Sequence, residues 1–228
     1  MSSEFVKKAN KIQSELYKRV FRDLGYVQKG RVFNKITDDD LVHVVVFKIG
    51  RKFEHENNQF SINFSIIVPE WQFLTFNKTL EKGKIYDEGT GKLHSSIGLL
   101  KGIELPYKEG YGYFFYELDQ DSEEYIINDA EKLIREKLLP MFENLKTRDD
   151  ILQNASKYAE AKKLGIAMPD GIINKFHLAM IMGAKGNISE ASKLANEYYK
   201  DKKGSGSSKG HLEYVFSVAK RLGIAIDQ

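Results

Sequence analysis

The chain has 228 residues, of which 42% are hydrophobic and 29% charged, the composition of a globular protein able to bury a core. Its net charge of +3, from 35 basic and 32 acidic residues, describes a mixed surface and argues against an electrostatic funnel for nucleic acid. The lack of cysteine excludes disulfides, thiolate metal sites and cysteine nucleophiles, and fits a reducing cytoplasm.

The N-terminus is charged throughout and lacks the apolar core of a signal peptide. No apolar run approaches the length of a membrane span, so a soluble, cytoplasmic protein with no membrane partner is expected. Phe5, Ala9, Ile12, Leu16, Val20 and Leu24 recur at steps of three and four, which predicts one apolar stripe on a helix from about Ser3 to Leu24. Gly25 closes it in a left-handed conformation. A basic turn, Lys29 to Arg31, leads into a short strand from Arg31 to Ile36. Thr37 to Asp40 forms a turn in which aspartates bond back to their own backbone. Leu41 to Ile49 is apolar at nearly every position and rich in valine, which predicts a central strand covered on both faces. His43 is the exception within it.

After a polar loop, Phe60 to Val68 alternates between apolar residues and Ser61, Asn63 and Ser65, the pattern of a half-buried strand that Pro69 ends. Trp71 to Phe76 is aromatic and reads as a further strand or edge. Lys78 to Lys92 reads as a long mobile loop. His94 to Leu100 and Tyr111 to Leu118 are the last strand candidates. From Asp119 the period changes: Asp121 with Glu124 can form a capping box for a helix over 125–145, which Pro140 should kink or split. Thr147 to Asp150 starts another helix that ends at Gly165. Helices are then predicted at 172–184, 189–202 and 211–222, with a flexible glycine and serine connector from Gly204 to Gly210. Ala161 to Met168 recurs as Ala219 to Ile226; both copies read as helices stopped by glycine followed by isoleucine.

Motifs for chemistry are weak. Gly89 to Lys92 resembles a phosphate loop, but Tyr86 holds the first glycine position and Leu93 the hydroxyl position. Asp119 to Glu123 opens like a calcium loop, but Glu124 and Ala130 stand where glycine and a bidentate glutamate belong. The histidines show no metal-ligand spacing; the dense cluster Glu54 to Glu56 reads as solvated charge. His43 reads as a hydrogen-bonded core histidine that is also a suspect for a shifted pKa. Tyr111 to Tyr116 could stack bases but lacks a basic context, so core packing is favoured. Gly186 to Ala191 resembles the turn and second-helix start of a tetratricopeptide repeat and reads as a helical hairpin. No cofactor motif and no metal site are found.

Phe21, Leu24-Gly25-Tyr26, Lys29-Gly30-Arg31 and Phe33, followed by the valine strand to Phe47, resemble the bacterial domain-of-unknown-function family 4304. The strand from Phe60 to Val68, Ser96-Ile97-Gly98, Tyr113 to Tyr116 and Leu138 to Phe142 follow in the same layout, over about residues 1 to 155. The resemblance implies a compact α+β domain and lends no catalytic residues. The expected fold is therefore α+β: a mostly antiparallel sheet with helices packed on one face over residues 1–148, followed by an all-helical C-terminal subdomain over 149–228. The function expected is non-enzymatic binding of another protein, as an adaptor or a toxin-immunity protein. Ser61, Asn63 and Ser65, with Arg51 nearby, are the candidate binding surface. An alternative is an enzyme on a small anionic or nucleotide-like substrate, with His43 as base and Arg31 or Arg51 holding the anion. A third is weak nucleic-acid binding through Lys29, Arg31, Lys35, Lys48, Arg51 and Lys52.

Overall fold

The computed structural model describes residues 3–51, 58–81, 83–87, 93–100, 116–154 and 174–227. The chain divides into two units: Met1–Ile67 with Ile85–Gly171, and Val68–Lys84 with Ile172–Gln228. The fold class is α+β.

In the first unit, α1 (Ser3–Leu16) buries Ala9, Ile12 and Leu16 along one stripe. The helix then widens into a π turn over Tyr17–Phe21 and tightens into a 3-10 turn over Arg22–Leu24. That change of pitch turns the stripe out of phase. Val20 and Phe21 are buried, while Leu24 is left 38% exposed. Gly25 stops the helix at φ 79°, in the left-handed region.

Among the described residues six antiparallel strands follow: β1 (Val27–Lys29), β2 (Val32–Ile36), β3 (Val42–Arg51), β4 (Asn58–Ile67), β5 (Leu93–Ser96) and β6 (Tyr116–Glu117). Their order is β1-β2-β3-β4-β5, with β6 pairing the same edge of β4 further along. β3 is central, and Leu41 to Phe47 are all buried, as a valine-rich run requires. In the β2–β3 turn the side-chain bond comes from Thr37, whose Oγ1 accepts from the Leu41 N–H at 3.2 Å. Asp39 instead faces Arg148, accepting from its backbone N–H and pairing with its guanidinium at 3.0 Å.

Strand alternation gives the sheet two unlike faces. Phe33, His43, Val45, Phe47, Phe60, Ile62, Phe64 and Ile66 share one face by register. Phe21 extends this layer from the α1 segment, 5.3 Å from Phe33 between ring centroids. Phe142 closes its other end, 6.0 Å from Phe64. The helices therefore lie on this apolar face. Val32, Asn34, Val44, Val46, Ser61, Asn63, Ser65 and Ser96 share the opposite face.

α3 (Ile97–Leu100) follows β5 directly, so the predicted strand over 94–100 is half strand and half helical turn. The chain returns through β6 into α4 (Glu123–Leu133), capped by Ser122, whose Oγ accepts from the Tyr125 N–H at 3.1 Å. Asp121, expected as the cap, accepts from the Glu117 N–H at 2.8 Å instead. A π turn over Ile134–Leu138 precedes α5 (Leu139–Glu143). The interruption falls one turn before Pro140, where the proline ring would meet the preceding carbonyls. Thr147 and Asp150 then cap the helix over 148–154 reciprocally, each side chain accepting from the other's N–H at 3.0 and 2.9 Å.

The second unit contains α2 (Pro69–Phe76), α6 (Lys175–Ala184), α7 (Ile188–Gly204) and α8 (Lys209–Arg221). Residues 71–76 are thus helical, against the expectation of a strand. Pro69 sits at the first helical turn, Trp71 and Leu74 point inward, and Asn77 ends the helix at φ 54°. Trp71 Nε1–H donates to the His177 carbonyl oxygen at 3.0 Å, and Arg221 donates to that of Leu74 at 2.9 Å. α6 and α7 form the predicted hairpin, joined at Gly186 (φ 83°) and capped by Asn187. α8 ends at Gly223 (φ 68°), and the Ile224 N–H reaches back to the Ala219 carbonyl at 2.9 Å. This is the expected glycine stop with its buried isoleucine. The first copy of that repeat, the phosphate-loop segment and Tyr111 to Phe115 lie outside the described residues.

One tie fastens a non-repetitive segment to the polar-side face. Asn34 is buried on β2; its Nδ2–H donates to the Tyr86 carbonyl at 2.9 Å, and its Oδ1 accepts from the Tyr86 N–H at 2.6 Å. Asn34→Ala strips both bonds from a buried backbone unit. A loss of about 2–4 kcal/mol is expected in chemical denaturation, with faster hydrogen exchange at the Tyr86 amide.

Candidate functional site

β4 carries the candidate site. Its apolar residues Phe60, Ile62, Phe64 and Ile66 point to the helix-covered face, which sends Ser61, Asn63 and Ser65 to the other. The sequence pattern predicts a solvated polar face, but all three are buried: Ser61 is 1% exposed, Asn63 9% and Ser65 0%. β5 adds Ser96, 1% exposed and directly opposite Asn63 in the register. On β3 the residues opposite Asn63 and Ser65 are Val46 and Val44. Lys48, opposite Ser61, is exposed at the end of the row, and His94 is the register partner of Ser65 on β5.

The side-chain oxygens of Ser61, Asn63, Ser65 and Ser96 have no hydrogen-bond partner. Buried polar atoms are nearly always paired, and each unpaired one costs about 1–3 kcal/mol. Four such atoms share one patch of one sheet face. The geometry is simple. Residues two apart on a strand repeat at about 7 Å, so Ser61, Asn63 and Ser65 form a line. Ser96 stands about 5 Å to the side of Asn63. Four oxygens that accept, three of which also donate, line an otherwise valine-walled surface.

The other sequence candidates lie elsewhere. His43 is on the apolar face, so the thickness of the sheet separates it from Ser61, Asn63 and Ser65. Its ring stacks on Phe142 with centroids 4.3 Å apart and planes 14° from parallel. Nε2 faces the Leu145 carbonyl at 3.5 Å, which makes it the protonated nitrogen of a neutral ring. Burial pushes the imidazole down to about 4; the Leu145 bond opposes that shift, and the Lys35 charge adds to it. It is a packed core histidine. Arg31 is half-buried at the β1–β2 turn, and its carbonyl accepts from the Phe47 N–H at 2.9 Å. Arg51 pairs through its backbone with Asn58 at the end of the β3–β4 ladder. The structure thus joins Ser61, Asn63 and Ser65 and leaves Arg31 and His43 apart from them. The basic residues of the nucleic-acid alternative are also divided. Lys29 and Lys48 fall on the polar-side face by register, and Lys35 falls on the other, opposite His43.

Ser96 was missed as a site residue because its contribution depends on strand pairing. Only the register with Asn63 on β4 places Ser96 on this face. Among the described residues, no three histidine, aspartate or glutamate side chains converge as a metal set, and no helix is long and apolar enough to cross a membrane.

Comparison with known proteins adds a family. The model described as Domain of unknown function (DUF4304) matches residues 17–144, more than half of the chain. No curated protein and no solved structure gives a match. That match begins at the π turn after α1 and covers the six described strands, α4 and α5, so the described sheet with its buried polar row lies inside it. The chain belongs to the domain-of-unknown-function family DUF4304.

Proposed function

We propose that the chain is a non-catalytic binding protein whose recognition groups are Ser61, Asn63, Ser65 and Ser96. One observation supports this: their oxygens are closed off from solvent and have no partner within the fold, so a partner that opened this face and supplied hydrogen bonds would gain what the chain alone forgoes. The state of Ser65 supports binding over catalysis. A nucleophilic serine is held in hydrogen-bond reach of its base, and Ser65 Oγ has no such bond. The alternative with His43 as base asks a neutral ring stacked in an apolar layer to reach a substrate through the sheet.

The test is native mass spectrometry of the protein purified gently from its host, wild type against S61A/S65A. The wild type is expected to carry a stoichiometric occupant, a small molecule or another protein, which the variant loses while keeping its circular dichroism spectrum. An occupant retained by the variant, or none on the wild type, would contradict the proposal. An adaptor or immunity role requires that occupant to be a protein.

A further inference from the structure

We infer that residues 85–87 form a strap at the solvent rim of the polar-side face, clasped by Asn34, and that this strap opens while the rest of the sheet stays folded. It supplies the opening step that the binding role proposed above requires, and it is tested with no partner present. The register gives its position. Val27, Asn34, Val44 and Ser65 stand side by side on one face, in one row across β1, β2, β3 and β4. Val27 is 61% exposed, while Asn34, Val44 and Ser65 are buried. Ile36, two residues beyond Asn34 on the same face, is 50% exposed. Asn34 therefore stands where solvent ends and the closed part of the face begins.

At that limit the Asn34 amide takes both backbone groups of Tyr86. Nδ2 donates to the Tyr86 carbonyl at 2.9 Å, and Oδ1 accepts from the Tyr86 N–H at 2.6 Å. Nδ2 also donates to the Phe33 carbonyl at 2.9 Å, which fixes the amide in place. One side chain thus does for Tyr86 what a whole neighbouring strand does for a ladder residue. The contrast with β3 is large, because β3 is paired along both of its edges, with β2 and with β4. Ile85 is half-buried and Asp87 exposed, so the strap lies at the surface on either side of its buried tyrosine. A surface segment clasped through one side chain opens at far lower cost than a central strand. Its release uncovers Asn34 and then Val44, the residue between Asn34 and Ser65 in the row.

The chain has no cysteine, so one introduced thiol is a unique reporter of opening. Val44→Cys places it beside Asn34, and Val45→Cys places it on the other face of the same strand; both positions are buried. Each full-length variant is treated with iodoacetamide at increasing urea, and alkylation is followed by mass spectrometry. Without urea, V44C is expected to react about a hundredfold or more faster than V45C, at a rate nearly independent of low urea, because opening a strap exposes little surface. V45C is expected to react only through global unfolding, with a steep urea dependence. Adding Asn34→Ala to V44C is expected to speed its urea-independent reaction about tenfold or more. In the unsubstituted chain the Tyr86 amide is expected to exchange about a hundredfold or more faster than the Val45 amide, which shows that no cysteine loosened the face. Three results would overturn the inference: equal rates with the same steep urea dependence in V44C and V45C, no acceleration by Asn34→Ala, or a Tyr86 amide as protected as that of Val45. Any of these together with an occupant in native mass spectrometry would leave the binding role standing and remove only this route of access. An opening strap on a protein that carries no occupant would keep the strap and remove the binding role.

Discussion

Truncating Phe176 to alanine is expected to destabilise the helical unit by about 3–5 kcal/mol, enough to unfold much of a small four-helix packing. Phe176 is 2% exposed on α6. Its ring stacks on Tyr198 of α7 at 5.4 Å and 12°, and meets Tyr214 of α8 edge-on at 6.1 Å. Three helices thus share one ring, and removal leaves a cavity that stiff aromatic neighbours cannot fill. Trp71 is the only tryptophan of the chain and belongs to the same unit. Its fluorescence therefore reports this unit selectively in urea titrations. The expected result is a large drop in the tryptophan midpoint for Phe176→Ala; an unchanged midpoint would show that α2 does not fold with α6, α7 and α8.

The second large effect is a pH dependence at His43. Its folded pKa is about 4 against an ordinary value of 6.5, and burial is the leading cause. Between those values the unfolded chain binds a proton that the folded chain refuses. The stability due to the neutral ring is therefore complete above about pH 6.5 and is lost as pH falls toward 4. The difference corresponds to about 3 kcal/mol. The Glu143 charge opposes the shift and the Lys35 charge reinforces it. His43→Phe keeps a ring against Phe142 and removes the proton site. Denaturation midpoints followed from pH 7.5 to 4 should fall more steeply for wild type than for the variant. Parallel profiles would mean that the ring protonates in place.

Much of the sheet is legible in the sequence because its signals are local. The valine run from Leu41, the alternation from Phe60 and the stops at Gly25 and Pro69 each follow from side-chain period or backbone restriction. The aromatic stretch from Trp71 to Phe76 misleads because bulky rings favour strands on average. Here Trp71 and Leu74 find their burial on one side of a short helix opened by Pro69. The helix stripe from Phe5 fails at Leu24 because a π turn adds a residue per turn, which no strict period of 3.6 allows for. Capping at Ser122 rather than Asp121 is a shift of one residue between two competent side chains.

The candidate site was half visible. Ser61, Asn63 and Ser65 show by alternation that they share a face, and the sequence locates them correctly on one strand. Whether that face meets water is a tertiary matter, and here it does not. Ser96 and Asn34 enter only through register, which pairs β5 and β2 with their neighbours. His43 illustrates the converse. One imidazole in an apolar strand is equally a base or a packed ring by sequence, and Phe142 and Leu145, about a hundred positions away, decide the matter.

The central claim is that the hydroxyls of Ser61, Ser65 and Ser96 are held without partners for an occupant to use. The most direct measurement is the unfolding free energy of ligand-free S61A/S65A/S96A against ligand-free wild type in urea. The variant is expected to be more stable, by about 1 kcal/mol for each hydroxyl removed, because deleting an unpaired buried oxygen relieves its desolvation cost by more than the small void left behind costs. A variant less stable than wild type would show that these hydroxyls already make bonds that hold the fold, and that the polar face of β4 is structural.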